Sequence, residues 1–226
     1  MPGASPTQDK VAEVRVWDLL VRVGHWLLVA GFSIAYFSSE GADEGVRQFV
    51  HTYAGFAIAA VLVLRIVWGF VGTRYARFRS FLFSPLTALR YFLQLVRRQS
   101  ARYLGHSPAG AMMVFALLIC LAMTGVSGLV VYAQDGHGPL SPFVQKIERP
   151  QPPAPGTIVQ PGQFRGERPP QPARAAHQVF GNLALALVIL HVCGVLWASF
   201  AHRENLPKAM VTGRKRKGGP ETVPNP

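Results

Sequence analysis

The chain has 226 residues, half of them hydrophobic, and its mean hydropathy is +0.22, yet its formal net charge is +12. Apolar runs of this length argue against an ordinary soluble domain, and two cysteines without a CxxC or CxxCH pair argue against a thiol metal site, a redox pair or covalently attached haem. The basic residues are distributed around the apolar runs, a pattern that argues against nucleic acid and names membrane lipid as the partner of the charge.

About 20 apolar residues cross the roughly 30 Å hydrocarbon core of a bilayer, and four stretches qualify, at residues 16–37, 49–71, 108–132 and 175–200. Residues 1–14 read as a disordered N-terminus. The first span begins too late and runs too long for a cleaved signal peptide, and no small-residue cleavage pattern precedes "SSEGADEG", so a retained helix is expected. Between spans two and three, "FSPLTALRYFLQLVRRQS" places Ser84 as N-cap and Pro85 as first helical residue. Leu86, Leu89, Phe92, Leu93 and Val96 follow helical spacing, which predicts a short amphipathic helix lying at the interface. Ser107 and Pro108 open the third span in the same way. The outer loop at 134–174 is dense in proline and is expected to be extended and mobile. The tail "GRKRKGGPETVPNP" reads as disordered.

Lysine and arginine concentrate before span one, between spans two and three, and after span four. The positive-inside rule therefore predicts cytoplasmic N and C termini. The expected fold is an all-α membrane protein: a four-transmembrane-helix bundle at 15–204, an interfacial helix between spans two and three, and a basic cytoplasmic tail at 205–226.

The chemistry is concentrated in histidine. His177 and His191 close the two ends of the apolar run "HQVFGNLALALVILH". Fourteen helical residues advance about 21 Å and turn to within about 40° of four full turns, so both rings lie on nearly one face. Gly181, Ala184 and Val188 lie between them on that stripe, leaving room for something large and flat. His51 opens span two at the depth of His177, and Gly55 follows it by four residues as Gly181 follows His177. His25 and His191 share a depth nearer the cytoplasmic side. A single membrane histidine is usually a hydrogen-bonded packing residue, but four that match pairwise in depth across three helices call for a function. Two pairs, outer His51 with His177 and inner His25 with His191, suit bis-imidazole ligation of two haem irons. No carboxylate or thiolate joins either pair, which disfavours zinc or copper.

Arg65, fourteen residues after His51, and Arg22, three before His25, suit haem propionates, with snorkelling to headgroups as the alternative. His106 and His202 are expected near the cytoplasmic surface and His137 in solvent. Asp18 is the one carboxylate at the edge of a span that suggests a proton-transfer role.

"VWDLLVRVGHW", "RIVWGFVGTRYARF", "YLGHSPAGAMMV", the paired His177 and His191, and "HRENLPKAMVTGRKR" together resemble the bacterial cytochrome b561 family, which includes the b-type cytochrome subunits of nickel-iron hydrogenases. The resemblance runs from about Arg15 to Lys217. It implies a bacterial inner-membrane, multi-pass cytochrome holding two non-covalent b haems, with His25, His51, His177 and His191 as ligands. Electrons would pass between the quinone pool and a redox partner, either a c-type cytochrome or a hydrogenase-like subunit. Quinol oxidoreductase activity and a bound quinone belong to that expectation. Gln178 stands where the family commonly has an acidic residue, Tyr75 where histidine is frequent, and the proline-rich loop where the outer loop is usually short and amphipathic. A membrane-anchor subunit of a hydrogenase-like complex is the nearest alternative, and a non-redox metal-binding membrane protein or scaffold is the alternative of a different class.

Overall fold

Asp18 sets where the first span begins. In the computed structural model, which describes residues 13–39, 44–147, 171–217 and 222–223, its carboxylate accepts the Val21 N–H at 2.9 Å and caps helix α1 (Leu19–Phe37). The same carboxylate accepts from Trp68 Nε1 at 2.9 Å and Thr73 Oγ at 2.6 Å, tying the start of α1 to the end of α2 (Glu44–Val71). Small residues let these helices approach: a β-carbon at Gly31 would stand 3.0 Å from Ile58 Cγ1.

Helix α3 (Pro85–Val96) begins as its sequence predicts, with the Ser84 side chain accepting from the Thr87 N–H and proline in the first turn. It buries Ala88, Tyr91 and Leu95. Leu86, Leu89, Phe92, Leu93 and Val96 lie on its exposed side. Helix α4 (Pro108–Gln134) starts with Ser107 Oγ accepting the Gly110 N–H at 3.3 Å, and α5 is Pro172–Ala201.

Among the described residues, four helices are long and apolar enough to cross a membrane: Leu19–Phe37, Gly45–Val71, Pro108–Gln134 and Pro172–Ala201. They coincide with the expected spans to within a few residues. Their bulky apolar side chains face outward; Leu27, Phe37, Val63, Phe70, Ile119 and Leu196 are 53–79% exposed. Exposed apolar side chains suit a hydrocarbon solvent, in which the helices satisfy their own backbone hydrogen bonds.

The described residues divide into two compact units. One comprises residues up to 118 together with those from 186 onward, and the other comprises 119–185. In the first, strand β1 (Glu13–Arg15) pairs antiparallel with β3 (Arg214–Arg216), Glu13 opposite Arg216 and Arg15 opposite Arg214. Strand β2 (Arg102–Tyr103) pairs in parallel with β4 (Thr222–Val223). Helix α6 (Leu206–Thr212), capped by Asn205, ends at Gly213 with φ of 78°. The Gly213 carbonyl accepts from the N–H groups of Val16 and Trp17, and a β-carbon there would lie 2.5 Å from the Trp17 carbonyl. Only glycine meets both demands.

A buried ion cluster secures this clasp. Arg102 donates to Glu204 at 2.7 and 3.2 Å, and Lys215 Nζ lies 3.6 Å from the same carboxylate while donating to the Tyr103 carbonyl at 3.1 Å. Here the structure corrects the sequence reading: residues 214–216 and 222–223, read as a disordered tail, and 13–14, read as a disordered N-terminus, form strands. A basic run has no apolar period to reveal it. Its order comes from pairing across the whole length of the chain. The remaining expected disorder, at 1–12, 218–221 and 224–226, and the proline-rich stretch at 148–170 lie outside the described residues.

In the second unit, residues 119–134 of α4 meet residues 172–185 of α5. Cys120 Sγ donates to the Phe180 carbonyl at 3.3 Å, and Arg174 pairs with Asp135 at 3.8 Å. His137 is exposed, as expected, with its ring stacked on Tyr132 at 5.3 Å.

Candidate haem site

His25 projects from the middle of α1 and His191 from α5, both on partly covered faces of helices whose opposite faces are exposed. Their ring centres stand 6.4 Å apart with planes inclined at 55°. Two imidazoles on opposite sides of one metal, each bonded at about 2 Å, have ring centres roughly 6 Å apart. The inner pair therefore has a separation at which the two rings could hold one metal between them. His25 Nδ1 is buried without a hydrogen-bond partner among the described residues, an orphaned polar atom of the kind that marks a site built for an additional group.

The arginines near this pair part company. Arg22 donates through Nη2 to the Val211 carbonyl and so holds α6 against α1. Arg65, on α2, lies over the Phe78 ring at 5.1 Å. Each arginine keeps one buried donor without a hydrogen-bond partner among the described residues, Arg22 at Nε and Arg65 at Nη1. Asp18 is committed otherwise: burial would raise its carboxyl, but hydrogen bonds from Thr73, Trp68 and Val21 and the charge of Arg65 outweigh it and hold the group below its usual range. A carboxylate fixed by three donors caps a helix.

His106, expected near the surface, is packed between the rings of Trp17 at 4.7 Å and Phe81 at 4.3 Å. Burial first, then the charges of Arg65 and Lys215, push its imidazole down to about 3, so it is neutral. His202 is elsewhere engaged, with Nε2 3.3 Å from the Tyr91 hydroxyl and 3.4 Å from that of Ser100.

The outer histidines are set differently. His51, in the first unit, has Nδ1 2.8 Å from the Ala35 carbonyl of α1. His177, in the second, has Nδ1 2.9 Å from the Thr124 carbonyl of α4. A carbonyl only accepts, so in each ring Nδ1 carries the proton and Nε2 the lone pair, which is the tautomer that binds a metal through Nε2. β-carbons added at Gly55 and at Gly181, four residues beyond each histidine, would meet nothing within 4 Å. Each ring therefore stands beside open space on its own helix. On α5, His177, Gly181, Ala184, Val188 and His191 are all at least partly covered, whereas Val179, Leu183, Ile189 and Leu190 are exposed, so the stripe read from the sequence faces inward.

Sequence reasoning missed the backbone carbonyls that orient the outer rings, because every residue has one and nothing in the sequence marks which is used. It also missed the Arg102–Glu204–Lys215 cluster. The glutamate of "HRENLPKAM" was the available signal, a lone acidic residue within a basic segment.

Four apolar spans, an inward histidine stripe and a facing imidazole pair at the spacing of a shared iron define a membrane-embedded haem protein. The profile of the prokaryotic cytochrome b561 family matches residues 16–213, and the chain belongs to that family. It is a multi-pass b-type cytochrome that carries electrons in the membrane, with haem b as its cofactor.

Relatives include the probable Ni/Fe-hydrogenase 1 B-type cytochrome subunit of Escherichia coli (strain K12), 26% identical over 164 residues, which cover 62% of this chain and 69% of that protein. The probable Ni/Fe-hydrogenase B-type cytochrome subunit of Rhizobium leguminosarum bv. viciae is 26% identical over 54% of this chain and 60% of its own length. That of Bradyrhizobium diazoefficiens is 27% identical over 55% of this chain and 60% of its own length. No solved structure matches the chain.

Proposed function

We propose that the protein is a di-haem electron carrier of the bacterial inner membrane, with His25 and His191 holding an inner b haem and His51 and His177 an outer one. The observation that carries this reading is the 6.4 Å separation of the His25 and His191 ring centres. The outer pair rests on the matching depths of His51 and His177 along their helices, and is supported by the Nδ1–carbonyl hydrogen bond each makes. Haem held by these imidazoles would supply one-electron transfer at iron. The chain's part is to present four imidazoles, to exclude water behind an apolar exterior, and to place the Arg65 cation where a propionate can meet it. The electron donor and acceptor are the quinone pool and a redox partner at the membrane surface, such as a c-type cytochrome.

A second reading makes the chain the membrane anchor of a hydrogenase-like complex, favoured by the names of its relatives in Escherichia coli and the rhizobia. Purification from native membranes separates the two. A stoichiometric metalloenzyme subunit indicates the anchor, and a chain that arrives alone with quinone-dependent haem reduction indicates the independent carrier. The haem assignment itself is tested by a reduced-minus-oxidised spectrum with a haem count. Two b haems per chain are expected, falling to one in His25→Ala or His191→Ala. A folded, colourless protein from haem-replete cells would exclude it.

A further inference from the structure

His177 is held in a way that nothing in the sequence motifs anticipates. Thr124 and Gly128 are four residues apart on one face of α4, and both touch the His177 ring. The Thr124 carbonyl accepts the Nδ1–H at 2.9 Å. It also accepts the Ser127 hydroxyl at 3.0 Å, while that hydroxyl lies 2.7 Å from the Met123 carbonyl. At Gly128 a β-carbon would stand 2.9 Å from His177 Cε1 and 3.1 Å from Nδ1. Carbon atoms pack at about 3.5–4.0 Å, so a side chain here would have to displace the ring. A ring displaced along α4 loses the carbonyl that fixes its tautomer. Helix dihedrals do not require glycine at this position. The imidazole does.

We propose that Gly128 and the Thr124 carbonyl form a seat on α4 that fixes the His177 imidazole in tautomer and tilt, making Gly128 a positioning residue for the outer haem. This rests on the reading of His177 as a haem ligand. The hydrogen bond keeps the lone pair on Nε2 and raises its basicity, and the missing β-carbon allows the ring to lie close against the helix. The contact works through packing and not through charge, so its signature belongs to the outer haem alone.

The test uses the full chain, purified in detergent, with haem content, low-temperature paramagnetic resonance and a redox titration as readouts. Gly128→Ala is compared with Gly194→Ala, an exposed α5 position where a β-carbon meets nothing within 4 Å. Gly128→Ala is expected to drop the haem-to-protein ratio from two to one, or to shift the midpoint potential and resonance of one haem only. Gly194→Ala should leave both haems as in the unaltered chain. Two haems with unchanged resonance and potentials in Gly128→Ala would overturn the proposal. Two unchanged haems in His177→Ala would instead overturn the ligand assignment, so the two failures are distinct. If Gly128→Ala does not accumulate, the His177→Ala background decides. With the ring gone, Gly128→Ala should cause no further loss of protein or of the inner haem, and an additional loss there would show that Gly128 acts through something other than His177.

Discussion

Arg22 and Arg65 carry the same charge on neighbouring helices and have different partners. Arg22 donates through Nη2 to the Val211 carbonyl while its Nε is buried without a partner among the described residues, and Arg65 keeps a buried Nη1 in the same condition. A unit charge about 10 Å from a redox centre contributes about 1–2 kcal/mol at an effective dielectric constant near 20. Removing a cation favours the oxidised, more positive iron. Arg65→Gln should therefore lower the midpoint potential of the inner haem by tens of millivolts in an optical redox titration. Arg22→Gln removes the same charge about one helical turn from His25 and should lower the potential as well, and in addition it should make the residues after Thr212 more susceptible to protease. A potential shift from Arg22 alone would mean that Arg65 serves only the Phe78 contact. Both arginines were legible in the sequence as propionate candidates, by depth. What separates them is a backbone carbonyl 189 residues away in the chain, and no local pattern points to it.

Elements differ in how openly they declare themselves. The four spans and α3 were readable because composition and serine–proline starts are local: Ser84 and Ser107 sit where their side chains accept first-turn N–H groups. The α3 face of Leu86, Leu89, Phe92, Leu93 and Val96 was read as apolar and is exposed, which fits a helix that meets lipid on that side. The clasp of β1, β3 and α6 was not readable, since it depends on a glutamate finding two cations from distant segments. Burial would raise the Glu204 carboxyl, but the hydrogen bonds from Arg102 and the charge of Lys215 outweigh it and hold it below the usual glutamate range. Lys215 is itself pushed below the lysine range by burial, which outweighs the attraction of Glu204, so the stabilising side of the pair is the carboxylate's. A depressed native value means that this stability is present in full above the ordinary glutamate range and is lost as pH falls through the lowered value. Hydrogen exchange of residues 206–216 should show protection at neutral pH that disappears on acidification. Glu204→Gln should remove it at neutral pH as well, at a cost on the order of 3–5 kcal/mol, because two buried cations lose their anion. Protection that persists unchanged in Glu204→Gln would assign the clasp to its backbone pairing alone.

At the scale of the whole molecule, the pairing of β1 with β3 puts the segments just before α1 and just after α6 on the same side of the membrane-spanning helices. An even number of spans requires that arrangement. The side is assigned by the lysines and arginines that flank spans one and four, and the prediction is cytoplasmic. Reporter fusions after residue 217 and within 135–147 should report opposite compartments, with the first cytoplasmic. A periplasmic signal from the C-terminal fusion would reverse the orientation and exchange the inner and outer labels of the two histidine pairs. Opposite signals from the N- and C-terminal ends would contradict the strand pairing itself.

The same pairing has a consequence for the order in which the protein can be assembled. Residues 13–15 are made about two hundred residues before their partners at 214–216, so the loop closed by this contact spans all four long apolar helices and cannot close until the last of them has been made. Until then, the end of α1 that Arg22 and Trp17 close with Val211 and Gly213 stands open. Biogenesis thus has an interval, after the helices are in the bilayer and before the clasp forms, during which the end of α1 nearest His25 is uncovered. A chain interrupted before Gly213 would leave that end uncovered, and it would be expected to exchange its inner cofactor with the surroundings faster than the intact chain.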